Sequence, residues 1–334
     1  MRERLALVIV VVLSVSVMPA AAGNYRWMAP DGSVSYSDQP PPASVGVAPP
    51  ANVPVVEPAT APAPGAPSPP ANTERVTSGR PVSVEEILDL SGVTRQLGAL
   101  SASLVSEFKA PPSFSPGERA AIARVAESHF HADRLLRTIV DDLRRGQDQR
   151  SLDGVAAWLR SPPGRKITAA EIAASVAPQA ERRAGVSRSS AARAALIEQL
   201  DWLAGITDSQ LETIVAITRA TAASIADVLP PEQRKSPVEI DRDLQRKRAQ
   251  LRPQVEQATA QFMLYQYRTL EDVELERFAA FLASAPGRWY SRAMSRALTQ
   301  AIGAAATDTA RAMIGVVPAA RWRELAMAPP PPAR

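Results

Sequence analysis

Residues 151–165, Ser-Leu-Asp-Gly-Val-Ala-Ala-Trp-Leu-Arg-Ser-Pro-Pro-Gly-Arg, return 123 positions later at 274–288 as Glu-Leu-Glu-Arg-Phe-Ala-Ala-Phe-Leu-Ala-Ser-Ala-Pro-Gly-Arg, with eight of fifteen positions identical. Leu152/Leu275, Leu159/Leu282, Ser161/Ser284 and Gly164/Gly287 are among the identities, and Trp158/Phe281 keeps an aromatic ring. A second set of matches lies upstream at an offset of 113, pairing Glu85, Gly92 and Thr94 with Glu198, Gly205 and Thr207. The two offsets leave about ten extra residues in the second copy, and the basic stretch Asp241–Arg252 is the natural place for them. Internal repetition means that one supersecondary unit has been duplicated, so whatever one copy folds into constrains the other. The repeat predicts two copies of a four-helix unit, about 84–183 and 195–303.

The helical assignment comes from capping chemistry and period. Ser83 with Glu86, Ser115-Pro116 with Glu118, Thr207 with Gln210 and Ser236-Pro237 with Glu239 read as capping boxes, two of them with Pro at the first helical position. Apolar stripes follow: Leu90, Val93, Leu97, Leu100, Leu104 and Phe108; then Ile122, Val125, His129, Leu136, Val140 and Leu143; then Leu211, Ile214, Thr218, Ala222, Ile225 and Leu229. No strand run interrupts them. In the repeated Ser-x-Pro-Gly-Arg corner, the serine ends one helix and caps the next, and the glycine permits close approach. Arg165 and Arg288 then fall in the first turn of a helix, the wrong end of its dipole for a cation. That placement predicts an acidic partner, within the chain or on a binding partner, and makes the two arginines candidate interaction residues.

The N-terminal quarter is built differently. Arg2 and Arg4, the apolar run Leu5 to Val17 and Ala20-Ala21-Ala22 have the charge–apolar–small order of an export signal, with cleavage expected after Ala22. The run is too short to span a membrane comfortably, so no stable span is expected after cleavage. In residues 23–38, Tyr25, Trp27, Val34 and Tyr36 alternate at period two around Pro30-Asp31-Gly32, a β-hairpin pattern. Tyr25, Trp27 and Tyr36 are its candidate interaction residues. Residues 39–82 form a Pro/Ala-rich linker, with Glu57 the only charge up to residue 72, a composition that cannot bury a core. The expected order is a signal peptide at 1–22, a hairpin at 23–38 and the linker at 39–82. Helical repeat 1 follows at 83–186, repeat 2 at 187–327 and a Pro-rich tail at 328–334. The fold class is all-α, two related helical bundles after a small hairpin.

Two resemblances rest on these residues. Tyr25-Arg26-Trp27, Asp31-Gly32, Tyr36-Ser37-Asp38 and Pro40-Pro41 resemble a short N-terminal domain family of unknown function found on Gram-negative envelope proteins. The resemblance implies an envelope location and no activity. Glu86-Ile87-Leu88 with Gly92, followed by Trp158 to Lys166, resembles an uncharacterised exported bacterial family of helical proteins with a Ser-Pro-x-Gly-basic corner. The second copy is weaker, with Trp289 in place of the second basic residue and Ala285 in place of the first proline. This resemblance implies a helical fold and a compartment, and carries over no catalytic residue.

Composition narrows the chemistry. The 334 residues contain no Cys and only two His, which removes disulfide scaffolds, thiol catalysis and Cys-based zinc sites. His129 and His131, two apart on a helix, would point about 200° apart and cannot grip one ion; Asp133 is placed to partner His129 at i+4. No cofactor and no metal is expected. Asp141-Asp142 face different ways, and no phosphate loop or nucleophile elbow is present. The densest basic stretch, Arg242, Arg246, Lys247, Arg248 and Arg252, is interspersed with Asp241 and Asp243 and has no interleaved aromatic, so a solvated helix face is expected and nucleic acid is not. The sequence points to a periplasmic, non-enzymatic interaction or structural protein whose partner is an envelope component or another periplasmic protein. The alternative is a cell-wall-acting hydrolase, or an accessory to a peptidoglycan enzyme.

Overall fold

A computed structural model describes residues 25–28, 33–37, 80–107, 114–178, 181 and 189–327. The expected signal peptide, the expected turn at Pro30-Asp31-Gly32, the expected linker up to residue 79, Phe108 and the expected Pro-rich tail lie outside the described residues. The described chain is 86% helical, which establishes the all-α class.

Strands β1 (Tyr25–Met28) and β2 (Ser33–Ser37) pair antiparallel, with Tyr25 opposite Ser37 and Trp27 opposite Ser35; β2 also pairs with β3 (Ser189–Ser190) through Ser33 and Ser190. Helices α1 (Val84–Leu90), α2 (Val93–Glu107), α3 (Pro116–His129), α4 (Ala132–Arg145), α5 (Gln149–Arg160) and α6 (Pro162–Val176) precede β3. After it come α7 (Ala191–Ala204), α8 (Ile206–Val228), α9 (Pro237–Gln266), α10 (Asp272–Ala283), α11 (Ala285–Val316) and α12 (Ala319–Met327).

The capping boxes at Ser115/Glu118 and Ser236/Glu239 are present, each with both reciprocal bonds. Ser83 caps α1 by accepting from the Glu86 amide at 3.2 Å. The box at Thr207 is absent. Gly205, at φ +67°, ends α7 and begins α8, so Thr207 lies inside the helix and donates to Asp201 at 2.6 Å. Gly92, at φ +74°, makes the same kind of break between α1 and α2, interrupting the stripe that the sequence runs from Leu90 onward. Only a residue without Cβ enters that backbone region at little strain.

The long helix α11 is the spine. It packs along α8 and also against α3, α4, α5, α7 and α10. One apolar core gathers Ile87, Leu97, Ile122, Phe130, Leu135, Ile139, Leu152 and Val155 with Ala297, Ile302 and Met313 of α11. A second gathers Ile167, Ile197, Leu200, Met263, Tyr267, Leu275 and Leu282. The first core therefore takes a helix from the second half of the sequence. In α4 the buried row is Leu135, Ile139 and Leu143, one residue away from the expected Leu136 and Val140, which are half-buried.

Candidate functional site

At the two corners the chain makes the same bonds twice. Ser161 Oγ donates to the Trp158 carbonyl at 2.6 Å and accepts from the Gly164 amide at 3.1 Å. Ser284 Oγ donates to the Phe281 carbonyl at 2.6 Å and accepts from the Gly287 amide at 3.2 Å. Arg165 reaches back to the Arg160 carbonyl at 2.7 Å, and Arg288 to the Ala283 carbonyl. These acceptors are the last residues of α5 and α10, so each guanidinium sits on the negative end of the preceding helix while belonging to the first turn of the next. No carboxylate pairs with either arginine among the described residues. Within the described chain, a backbone oxygen takes the place of the expected acidic partner.

The corners also meet. The Trp158 and Phe281 rings stack 4.7 Å apart at an interplanar angle of 5°, with Phe278 stacked on Trp158 at 6.1 Å. Across the same junction Lys166 holds Glu274 at 2.6 Å, keeping that carboxyl below its usual range, and the Glu271 amide helps.

Close to this junction lies a carboxyl with little water. The Tyr267 hydroxyl donates to Glu171 at 2.8 Å, and desolvation pushes the Glu171 carboxyl up to about 7 against the lowering effect of that bond. Tyr290 is pushed up to about 12, chiefly by burial and also by the Glu171 charge.

The aromatic residues singled out in the strand pair have a defined register. Tyr25 and Trp27 are in register with Ser37 and Ser35, whereas Tyr36 is opposite Arg26.

The histidines resolve simply. His131 caps α4, its Nδ1 accepting from the Asp133 amide at 3.4 Å, and the Asp133 carboxylate lies 3.6 Å from that ring. Asp133 thus pairs with His131 and not with His129. His129 contacts Arg134 at 3.0 Å and is held below the usual imidazole range by burial and by that guanidinium. Among the described residues no group of three or more His, Asp or Glu side chains could hold a metal ion.

The basic stretch of α9 is stitched to its neighbours. Asp241 pairs with Arg219 at 2.8 Å and Asp243 with Lys235 at 2.5 Å. Arg248 pairs with Glu212 at 3.1 Å and with Asp208 at 3.2 Å; Arg252 pairs with Asp208 and, at 3.2 Å, with Glu256.

One surface was not legible as a site from the sequence. Trp202, near the end of α7, is 80% exposed, and it edges an open groove of about 590 Å³ between the α7–α8 corner and α11. Ser209, Ser291, Arg292, Ser295 and Thr299 are among its lining residues. Among the described residues it is the most exposed of the large hydrophobic side chains.

The family described as Domain of unknown function (DUF4124) matches residues 11–74; the rest of the chain is unassigned. The match takes in the Tyr-Arg-Trp and Tyr-Ser-Asp residues and begins inside the apolar run. No curated protein and no solved structure matches the chain.

Proposed function

We propose that this chain is an exported, non-enzymatic interaction protein of the cell envelope. In this reading a β-hairpin at 23–38 and a Pro-rich spacer at 39–82 precede a helical body made of two copies of one unit, 83–186 and 187–327. The observation that carries it is the groove under Trp202, an open surface with an unpartnered aromatic edge. The export order of residues 1–22 and the family match at 11–74 support the compartment. Two further features support the duplication. The corner bonds recur at both ends of the 123-residue offset, and Gly92 and Gly205 are the only positive-φ residues among those described.

The hydrolase alternative has one observation in its favour, the Glu171 carboxyl pushed up to about 7, in the range of a general acid. Glu171 does not line the groove, and the groove's own carboxylates, Asp208 and Glu212, are held by Arg248 and Arg252. Binding is therefore the better reading. Incubating the purified chain with isolated cell-wall sacculi tests it: co-sedimentation without release of soluble fragments is expected. Release of fragments would establish the hydrolase instead, and protein left wholly in the supernatant would overturn envelope association.

A further inference from the structure

The two copies, compared at one corner, differ in a way that creates the groove. In the first copy a Cβ on Gly92 would meet the Ile172 side chain at 2.5 Å and Thr168 at 3.4 Å, so the corner is packed shut against α6. In the second copy a Cβ on Gly205 would meet nothing within 4 Å. By the 123-residue offset, Thr168 and Ile172 correspond to Ser291 and Ser295. The branched plug of the first copy has become a serine in the second, and the space it vacates is the groove. By the 113-residue offset, Trp202 stands where the first copy has Asp89. The exchange is coordinated: the filler shrinks and turns polar, while the rim gains a broad apolar face.

The lining has a definite chemistry. Ser291, Ser295, Thr299 and Gln300 line the groove and make no side-chain hydrogen bond among the described residues, leaving three hydroxyls and an amide for a ligand. The charges there are already matched, with one exception. Asp208 and Glu212 are taken by Arg248 and Arg252, and Arg296 holds the buried Asp142 carboxylate at 3.0 Å. Arg292 donates only to the Arg288 carbonyl, at 3.1 Å, and has no carboxylate partner among the described residues. The groove therefore carries one uncompensated guanidinium, with a fork geometry that suits a carboxylate.

We propose that the groove under Trp202 binds a carboxylate-bearing saccharide, the indole covering the apolar face of a sugar ring, the hydroxyl row and Gln300 bonding its hydroxyls, and Arg292 its carboxylate. The inference rests on the interaction reading above and names the ligand class for that site. A proline-rich peptide would also use an aromatic platform, but along its length it offers no side-chain carboxylate to Arg292 and no hydroxyls to the serine row.

Calorimetric titration of the full chain with trigalacturonate, maltotriose and decaproline tests the assignment. Saturable binding of trigalacturonate in preference to maltotriose is expected. Trp202→Ala should weaken it at least about tenfold, as loss of a central aromatic anchor does. Arg292→Gln should abolish the preference for the acidic sugar. Ser295→Ile, which restores the first copy's plug, should block binding, with melting curves of all three variants unchanged. Absence of trigalacturonate binding, binding that survives Trp202→Ala and Ser295→Ile, or binding of decaproline alone would each overturn the proposal. Sacculus co-sedimentation of Trp202→Ala separates the two levels: if it persists unchanged, envelope association stands and the groove assignment falls.

Discussion

Among the described residues Glu171 is the carboxyl furthest from its solution behaviour, and the sign of its effect on stability follows from the cause. Desolvation raises its folded pKa to about 7 from an ordinary value of 4.5. Between those values the folded chain holds a proton that the unfolded chain releases, so stability falls as pH rises through this window and levels off above it. The residue as a whole is only half-buried, so the contribution is about 2 kcal/mol at most. Glu171→Gln keeps the shape and removes the charge. Urea unfolding at pH 5 and pH 8 should show wild type losing stability at the higher pH and the variant losing markedly less. An unchanged difference would mean that Glu171 is solvated. Carboxyls held low, such as Asp243 beside Lys235 and Arg246, act the other way: their contribution is present above the unfolded pKa and lost as pH falls, outside this comparison.

At the scale of single elements the corners are the sharpest test. A Cβ on Gly164 would overlap the Trp158 carbonyl oxygen, and one on Gly287 the Phe281 carbonyl oxygen, both rigid backbone. Gly164→Ala and Gly287→Ala should each cost about 1–3 kcal/mol in chemical denaturation, even with the smallest side chain. Gly98, inside α2 with nothing within 4 Å of a Cβ, is the control, and Gly98→Ala should stabilise by about 0.5–1 kcal/mol. Equal effects at all three positions would refute the close-approach account. Arg165→Gln and Arg288→Gln remove exposed bonds to backbone carbonyls, and each should cost under about 1 kcal/mol by the same measurement.

These elements also mark what can be read without coordinates. The serine caps at 115, 161, 236 and 284 were legible because a cap is local, its partner three residues away. The acceptors of Arg165 and Arg288 were not, because a carbonyl oxygen leaves no trace in sequence. The break at Gly205 defeated the Thr207 cap because a left-handed glycine outranks a favourable side chain. The row in α4 slipped by one because Leu135-Leu136 and Ile139-Val140 are adjacent apolar pairs, and either row satisfies a helical period. Trp202 was not legible, because its exposure beside the groove depends on how α7 and α8 meet α11.

Across the whole molecule, the repeat predicts two bundles, and the chain ties them together. Pairing between the two halves is long-range information that a local sequence pattern does not contain. Helix α11 starts at the second corner, yet its Ala297, Ile302 and Met313 fill the first core. Asp142, 7% exposed on α4, is held by Arg296 of α11. Trp158 stacks on Phe281 between the two halves. Residues 80–186 alone would expose the apolar face that α11 covers and leave Asp142 with Arg145 as its one remaining partner, at 3.1 Å. The two halves should therefore unfold as one. Thermal melts of the full chain followed by far-ultraviolet circular dichroism and by tryptophan fluorescence should coincide in a single transition. A fragment spanning 80–186 should lack a cooperative melt. Two resolved transitions, or a fragment that melts cooperatively by itself, would show that the two halves are independent units and that α11 contributes packing area without joining the cores.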